Sequence, residues 1–212
     1  LTLSTNGKPD ATLDTRWLRP REGEGAVEPG PLELDAPTQA LAPLVSLAYN
    51  PDARRALVVG QGSGLTSHML LGSPALELLT TVEIEPAVLE ASRVFLPATR
   101  RVFSDPRSRI RVADARTVLA PEGERLDLII SEPSNPWVSG VATLFTREFY
   151  GRVRERLAPG GIFGQWIHLY EISDELVLSV LSAIHESFPA YQIYLTHASD
   201  MLVVAGVDPL LP

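Results

Sequence analysis

Runs of apolar residues alternate with apolar residues at helical spacing from about position 55 to position 188 of the chain. Runs such as LDLII at 126–130 are short and unbroken, as in a parallel strand that is buried on both faces. The predicted strands cover 56–60, 79–85, 109–114, 126–131 and 161–169, and the predicted helices cover 38–49, 65 onward, 87–95, 115–120, 146–157 and 173–188. This alternation predicts right-handed βαβ crossovers and a parallel sheet.

The two ends of the chain depart from this alternation. QIYLTH at 192–197 and MLVVAG at 201–206 lie close together, which predicts a terminal antiparallel hairpin. Residues 1–37 are rich in Pro, Gly and charge and predict an N-terminal extension with a β-hairpin. We therefore expect an α/β, Rossmann-like fold with a mostly parallel seven-stranded sheet, a short N-terminal β extension at 1–37 and a catalytic domain at 38–212. Class I S-adenosylmethionine-dependent transferases have this arrangement, and the order of elements also fits a Rossmann dehydrogenase.

Composition narrows the function classes. The chain has no cysteine, which excludes disulfides, thiolate catalysis and sulfur-bound metals. Its four histidines fall in separate predicted elements, so we expect no metal site. The net charge of −8 argues against nucleic acid as a partner, since phosphates require a basic surface. The chain shows neither a membrane-spanning apolar run nor a signal-peptide pattern, and its start at Leu1 instead of Met indicates a trimmed or excised fragment.

The predicted strand at 126–131 runs into a polar loop that contains Glu132 and Asn135 between prolines. Ligands in open α/β sheets bind beyond the carboxyl ends of such strands, which is where this loop stands. The carboxylate of Glu132 can take a proton or hold an ammonium group, so Glu132 is the candidate catalytic residue.

A glycine-rich turn follows the first strand of the predicted sheet. Its residues are Gly60, Gln61, Gly62, Ser63 and Gly64. Glycines permit a tight turn and a close approach of a ligand to the backbone. Glu83, followed by Ile84, ends the next strand, where a carboxylate accepts both hydroxyls of a ribose. Asp114 and Ala115 follow the third strand, where a carboxylate accepts an adenine amino group. One bound adenosine explains all three features.

Each feature also has a purely structural explanation. In that explanation the glycines only form a turn, Glu83 is only a solvated strand end, and Asp114 only caps the helix that starts at Ala115. A dinucleotide fingerprint requires a glycine where this chain has Leu65, which disfavours the dehydrogenase and favours adenosine without a pyrophosphate.

Several short sequence motifs, which occur in the same order, resemble those of the polyamine aminopropyltransferases, the spermidine synthase family, over roughly residues 31–205. These motifs are TQALAPL, VVGQGSG, VEIEP, ADAR, DLIISEPSNPW, LFTREFY and LAPGGIFGQW. EPSNPW together with LFTREFY looks most like the spermidine-synthase-like bacterial branch, whose members are sometimes joined to membrane-spanning segments.

The resemblance implies an activity and a set of ligands. Decarboxylated S-adenosylmethionine donates an aminopropyl group to a small-molecule amine, without a metal. By resemblance Glu83 binds the ribose, Asp114 the adenine, and Gln39, Asn135 and Gln165 the amine substrate. The resemblance also implies a homodimer, because family members commonly form one, and a cytoplasmic location, either as a free enzyme or as the cytoplasmic domain of a membrane protein.

Three places depart from the family's pattern. Ser63 stands where the family has an aspartate that grips the donor's amine, and Thr38 replaces a tyrosine. Glu132-x-x-Asn135-Pro136 replaces an Asp-x-x-Asp-Pro loop, so one carboxylate remains where three are expected. An acceptor other than putrescine is therefore favoured. Two alternatives stay open: a methyltransferase that uses intact S-adenosylmethionine, and a non-catalytic module of a membrane protein that binds an adenosyl compound or a polyamine.

Two further groups of polar residues lie outside these motifs. Arg152, Arg154 and Arg156 are spaced as a solvated helix face. His168 and Tyr170 follow a predicted strand, where they form its rim or face the cleft.

Overall fold

A computed structural model describes residues 1–5, 8–13, 36–96, 98–133, 140–197 and 199–210. The strands are β1 (Thr2–Thr5), β2 (Lys8–Thr12), β3 (Arg55–Val59), β4 (Leu78–Glu83), β5 (Ser108–Val112), β6 (Leu126–Ser131), β7 (Leu157–His168), β8 (Ala190–His197) and β9 (Asp200–Gly206). The helices are α1 (Ala36–Tyr49), α2 (Leu65–Leu70), α3 (Pro86–Ala91), α4 (Arg101–Ser104), α5 (Ala115–Val118), α6 (Arg147–Arg156) and α7 (Asp174–Ser187). Two 3-10 helices cover Ser92–Phe95 and Val141–Phe145. No helix within these ranges has the length and apolar character that crossing a membrane requires.

Seven strands form one sheet in the order β5-β4-β3-β6-β7-β9-β8. The strands from β5 to β7 in this order pair in parallel, whereas β9 is antiparallel to both β7 and β8. The predicted mostly parallel seven-stranded sheet with a C-terminal antiparallel hairpin is confirmed. After β3, the next two strands along the chain, β4 and β5, lie on one side of it, and the strand order then reverses because β6 lies on the other side. The crevice at this reversal is where open α/β sheets bind ligands.

Helices cover both faces of the sheet, which explains the unbroken apolar runs of the parallel strands. Leu128 and Ile130 of β6 pack into a core that includes residues of α1 and α2. Ile129, between them, points to the opposite face and joins a core that includes residues of α6 and α7. Because successive side chains alternate between faces, the apolar run supplies both cores.

The N-terminal hairpin packs against the main domain beside the glycine-rich turn. Leu13, which follows β2, is fully buried in a cluster with Leu65 and Phe95. The amino group of Leu1 donates to the carbonyl oxygen of Leu13 at 2.8 Å, which ties the start of the hairpin to its end. The strand-like triplet at 32–34 lies outside the described residues.

Some element boundaries differ from those predicted. β7 begins at Leu157, directly after α6, whereas the sequence predicts a strand from 161. The register with β6 shifts over this early part, so the strand enters irregularly through a Pro-Gly segment that has no strand pattern. The predicted helix at 87–95 divides into α3 and a 3-10 helix, and α4 is a helix that the sequence pattern does not predict.

Arg156 shows that the prediction of a solvated arginine face is wrong at one position. Arg152 and Arg154 are exposed, but Arg156 is 6% exposed. Its guanidinium donates to backbone carbonyl oxygens of the segment 118–124 at 2.6 to 3.0 Å. Arg156 therefore closes the loop between α5 and β6, and burial lowers the pKa of its guanidinium.

Candidate active site

The carboxyl ends of β3 and β6 touch at the reversal point of the sheet. The N–H of Glu132 donates to the carbonyl oxygen of Val59 at 2.9 Å, and the N–H of Gly60 donates to that of Val82 at 2.9 Å. Gly60 has φ +96°, and a Cβ atom there would come within 2.7 Å of the carbonyl oxygen of Glu132. Only glycine fits this close approach without strain. The glycine-rich turn and the loop with Glu132 are thus held side by side.

A large cavity of about 300 Å³ opens at this edge, the size at which small-molecule sites begin. We call it the large cavity. Residues of the predicted adenosyl site that line it are Gly60, Gly62, Glu83, Ile84, Asp114 and Ala115, and the candidate catalytic residue Glu132 lines it as well. Ile84 is 69% exposed beside it, which leaves an apolar side chain open to a ligand. Val82, Val88 and Leu144 add apolar wall. The structure therefore gathers the ends of β3, β4, β5 and β6 around one compartment.

Glu83 points its carboxylate into this edge and is held by two backbone amides. Its Oε2 accepts from the N–H of Gln61 at 3.0 Å, and its Oε1 accepts from the N–H of Glu85 at 3.0 Å. Glu83 is 8% exposed, so it is not a solvated strand end. A carboxylate has about four lone-pair sites, so each oxygen keeps the capacity for one more donor.

Asp114 caps α5, and its carboxylate also lies at the wall of the large cavity. Its Oδ1 accepts from the N–H of Arg116 at 2.8 Å, which caps α5, and the Arg116 guanidinium donates to Oδ2 at 2.6 Å. The hydrogen bond from the Arg116 side chain lowers the pKa of Asp114, so the carboxylate stays ionised. Asp114 also lines the large cavity. The cap therefore fixes a charged acceptor at the cavity wall.

Glu132 is hydrogen-bonded to Thr66 of α2. The Thr66 hydroxyl lies 2.9 and 2.8 Å from the two carboxylate oxygens of Glu132 and 3.1 Å from the carbonyl oxygen of Gln39. Burial raises the pKa of Glu132 from its ordinary 4.5 to about 7, although the Thr66 hydrogen bond lowers it in part. A hydroxyl has one proton, so Thr66 donates to the ionised carboxylate or accepts from the protonated one. Near neutral pH, Glu132 therefore exchanges a proton easily.

A second, small cavity of about 30 Å³ adjoins the other side of Glu132. We call it the small cavity. Its polar lining residues are Thr38, Gln39, Gln61, Ser63, Thr66 and Glu132, and Ala11, Leu65 and Trp166 contribute apolar surface. The Gln39 carboxamide joins three parts of the fold, because its oxygen accepts from the Ser63 hydroxyl and its nitrogen donates to the carbonyl oxygen of Thr12 at 3.2 Å. The N-terminal hairpin thus forms part of the cavity wall.

The remaining predicted residues have different surroundings. Gln165 is fully buried, and its nitrogen donates to the carbonyl oxygens of Trp166 at 2.8 Å and Ser131 at 3.3 Å. It is not among the described residues that line either cavity, so its role in amine binding stays a prediction. Gly64, with φ +81°, ends the turn as the N-cap of α2. Asn135 lies outside the described residues.

The structure adds two cavity-lining residues that the sequence analysis does not name individually. Thr66 follows the glycine-rich turn in the first turn of α2, and Trp166 follows Gln165 in β7. The indole N–H of Trp166 donates to Asp200 at 2.9 Å, which orients the ring. His168 is 6% exposed and its ring packs against Trp166, with centroids 4.0 Å apart, so it belongs to the interior instead of a solvated rim. The signal that the sequence offers for these two residues is position, because Thr66 lies just after VVGQGSG and Trp166 ends LAPGGIFGQW.

Residues 38–202 match the family model described as the spermine/spermidine synthase domain. A polyamine aminopropyltransferase from Desulforudis audaxviator is 31% identical over 150 residues, which make up 71% of this chain and 54% of that protein. Putrescine N-methyltransferase 2 from Nicotiana attenuata is 34% identical over 128 residues, which make up 58% of this chain and 34% of that protein. A spermidine synthase solved in complex with the transition-state analogue AdoDATO matches with a TM-score of 0.74 and 25% identity, covering 82% of this chain and 62% of that chain. The chain spans about half the length of the curated aminopropyltransferases that it matches.

Proposed function

Because the chain belongs to the spermine/spermidine synthase family, we propose that it transfers an aminopropyl group from decarboxylated S-adenosylmethionine to an amine, with Glu132 as the base. The observation that carries the proposal is that Glu132 lines both cavities. Transfer between two small molecules requires their reacting atoms to be held together in the right geometry. A carboxylate that touches both compartments stands where the two reactants meet.

The large cavity is the donor site in this proposal. Glu83 keeps lone pairs for the two ribose hydroxyls while backbone amides hold it in place. Asp114 accepts the adenine amino group on the same wall, and Ile84 covers a face of the base. Among the described residues that line this cavity, the acidic side chains outnumber the arginines, of which Arg116 is the one present, and this favours a cationic sulfonium.

The reaction begins with a proton transfer. The amine enters as an ammonium, and the ionised carboxylate of Glu132 takes one proton from it. The freed lone pair on nitrogen attacks the carbon bonded to the sulfonium sulfur. A carbon–nitrogen bond forms, the carbon–sulfur bond breaks, and its electron pair stays on sulfur. The products are a neutral thioether and a secondary ammonium, and Glu132 then releases its proton to water.

Methyl transfer from intact S-adenosylmethionine is the second candidate. It is favoured by the 34% identity to a putrescine N-methyltransferase and by Ser63, whose neutral hydroxyl does not select for a donor with a free amine. The same carboxylate serves both reactions, since each is an attack by an amine on a carbon next to the sulfonium. The donor therefore separates the two candidates.

Mass spectrometry with each donor and a panel of amines tests the proposal, because an aminopropyl and a methyl group add different masses. Glu132→Gln is expected to lower the rate by 10² to 10⁴-fold, the usual contribution of a general base. Glu132→Asp keeps a carboxylate and should retain part of the activity. Glu155→Gln makes the same chemical change at an exposed position of α6 and should leave the rate unchanged.

Three results would contradict parts of this proposal. Transfer from intact S-adenosylmethionine alone would replace aminopropyl transfer by methyl transfer. Full activity of Glu132→Gln would remove Glu132 as the base. Calorimetric binding of donor and amine without product from any combination would identify a non-catalytic binding module. The homodimer is a separate proposal that sedimentation equilibrium of the chain tests, and attachment of the parent protein to a membrane stays a prediction.

A further inference from the structure

The arginines of this acidic chain are concentrated near one edge of the sheet. Residues 92–116 contain seven arginines and two aspartates, a net charge of +5, whereas the rest of the chain carries −13. Both aspartates are paired within this segment, since Asp105 lies 2.8 Å from Arg107 and Asp114 lies 2.6 Å from Arg116. The arginines that remain are Arg93, Arg100, Arg101, Arg109 and Arg111, and we call them the basic edge.

All five side chains of the basic edge are exposed. Within the part of the chain that the structure describes, none of them forms an ion pair with a carboxylate. None of them is among the described residues that line the large or the small cavity. The proposed donor and acceptor are cations, which this charge repels, so the transfer reaction does not account for it.

Two contacts join the basic edge into one surface. The guanidinium carbon of Arg93 lies 4.8 Å from the centre of the Phe103 ring, which connects the 3-10 helix to α4. The hydroxyl of Ser108 donates to the carbonyl oxygen of Val102 at 2.7 Å, which connects α4 to β5. Because β5 is the last strand of the sheet, long side chains from both of its faces can reach a surface that lies against this edge.

Protection of the sheet edge explains only part of this charge. Charged side chains on an edge strand prevent pairing with other sheets, which accounts for Arg109 and Arg111 in β5. The opposite edge strand, β8, has no acidic residue, lysine or arginine among its eight residues, so this sheet does not keep its edges charged as a rule. The other three arginines precede β5 and do not belong to a strand.

Exposed apolar side chains lie among these arginines in the sequence. Val94 is 55% exposed, Leu96 is 38% exposed and Val112 is 54% exposed. Arginines combined with exposed apolar side chains suit the surface of an anionic bilayer, where guanidinium groups meet phosphates and apolar groups enter the boundary beneath them. A soluble acidic peptide would use the arginines and leave the apolar side chains in water.

The negative charge of the rest of the chain does not cancel this attraction. At physiological ionic strength, exposed charges more than about 8 Å apart are largely screened from one another. Arginines in contact with a surface therefore act on it more strongly than acids on the far side of the domain.

We propose that the basic edge binds the surface of an anionic lipid bilayer, with its arginines on the headgroup phosphates and with Val94 and Leu96 at the apolar boundary. The inference does not depend on the proposed transfer function, because the arginines lie outside both cavities. Its test contains neither donor nor acceptor.

Cosedimentation of the chain with vesicles measures the binding. One set of vesicles is phosphatidylcholine alone, and the other is phosphatidylcholine mixed with phosphatidylserine. We expect binding to the anionic vesicles at about 0.1 M salt and its loss at about 1 M salt, where the Debye length falls from about 10 Å to about 3 Å. Equal binding to both sets of vesicles, or binding to neither, overturns the inference.

The double variant Arg100→Gln with Arg111→Gln removes two charges of the basic edge. An arginine near an anionic bilayer contributes about fivefold to binding, so this variant should bind at least about tenfold more weakly. Arg54→Gln with Arg154→Gln removes the same charge at exposed positions before β3 and in α6 and should bind like the natural chain. Equal weakening in both double variants would show an effect of net charge alone and contradicts the assignment to this edge.

Leu96→Ser distinguishes a bilayer from an acidic protein segment. This variant should bind anionic vesicles about threefold more weakly or less, because it removes apolar surface from the boundary. Fluorescence anisotropy with labelled polyglutamate provides the comparison. Binding of the chain to polyglutamate without binding to anionic vesicles would identify an acidic protein as the partner and overturns the lipid assignment, as does an unchanged vesicle affinity of Leu96→Ser.

Discussion

Glu132→Gln should make the stability of the chain less dependent on pH. The carboxyl of Glu132 has its pKa raised from 4.5 to about 7 by burial. A folded state with the raised pKa binds its proton more tightly than the unfolded state does. The contribution of this group to the free energy of unfolding is therefore fully present below about pH 4.5 and is lost as the pH rises to about 7. Glutamine has the same shape and does not titrate.

The size of the effect follows from the shift in pKa. Each pKa unit corresponds to about 1.36 kcal/mol, so a rise from 4.5 to about 7 amounts to about 3 kcal/mol. We expect the variant to gain this amount relative to the natural chain between about pH 4.5 and about pH 7. Above about pH 7.5 the difference should stay constant, because the carboxyl is then ionised in both states.

Urea denaturation of both chains without ligand, at about pH 5, 6, 7 and 8, measures the difference. Subtracting the two free energies at each pH removes the contribution of all other titrating groups. A difference that does not change with pH would refute the reasoning, because it would mean that Glu132 has an ordinary pKa in the folded chain. A difference that falls with rising pH would show that a cationic partner stabilises the ionised carboxylate.

The remaining predictions concern contacts around Glu132 and the loop after α5. Thr66→Val removes the hydrogen bond that lowers the pKa of Glu132, so the rising limb of the pH–rate profile should move to higher pH; an unmoved limb would show that Thr66 does not act on the base. Gly60→Ala should cost at least about 2 kcal/mol in thermal denaturation because of φ +96° and the contact with the carbonyl oxygen of Glu132, whereas Gly151→Ala in α6, with open space around it, should be neutral or stabilise by up to about 1 kcal/mol. Arg156→Met should cost about 2–4 kcal/mol, since it leaves buried carbonyl oxygens without donors, and the same change at an exposed arginine of α6 should have little effect.

Local patterns in the sequence predict most of the elements, because their causes are local. Ser173 precedes two acids and an apolar run, and it caps α7 by accepting from the N–H of Leu176. The continuous apolar run of β6 reflects burial on both faces, and the structure places Ile129 and its neighbours in two cores. The location of the candidate site was equally predictable, since the carboxyl ends of parallel strands meet at one edge of the sheet.

Contacts between residues far apart in the chain could not be predicted in this way. Thr66 and Glu132 are 66 positions apart, and nothing near Thr66 indicates that its hydroxyl meets a carboxylate. Arg156 belongs to an arginine series that has solvated spacing, and its carbonyl partners come from a loop more than 30 residues earlier. Such pairs are set by tertiary packing, which residue patterns within one element do not contain.

The raised pKa of Glu132 connects the stability of the fold to the proposed chemistry. An alkylammonium has a pKa near 10.4, so an ordinary carboxylate accepts its proton only at a large cost. Raising the carboxyl pKa to about 7 narrows the gap by about 3 kcal/mol, the same amount by which ionisation of Glu132 weakens the folded state. The same rise in the pKa of Glu132 therefore sets both the stability that the fold loses when Glu132 ionises and the basicity that Glu132 gains. A substitution that returns Glu132 to an ordinary pKa without removing it should stabilise the chain at neutral pH and slow the transfer together.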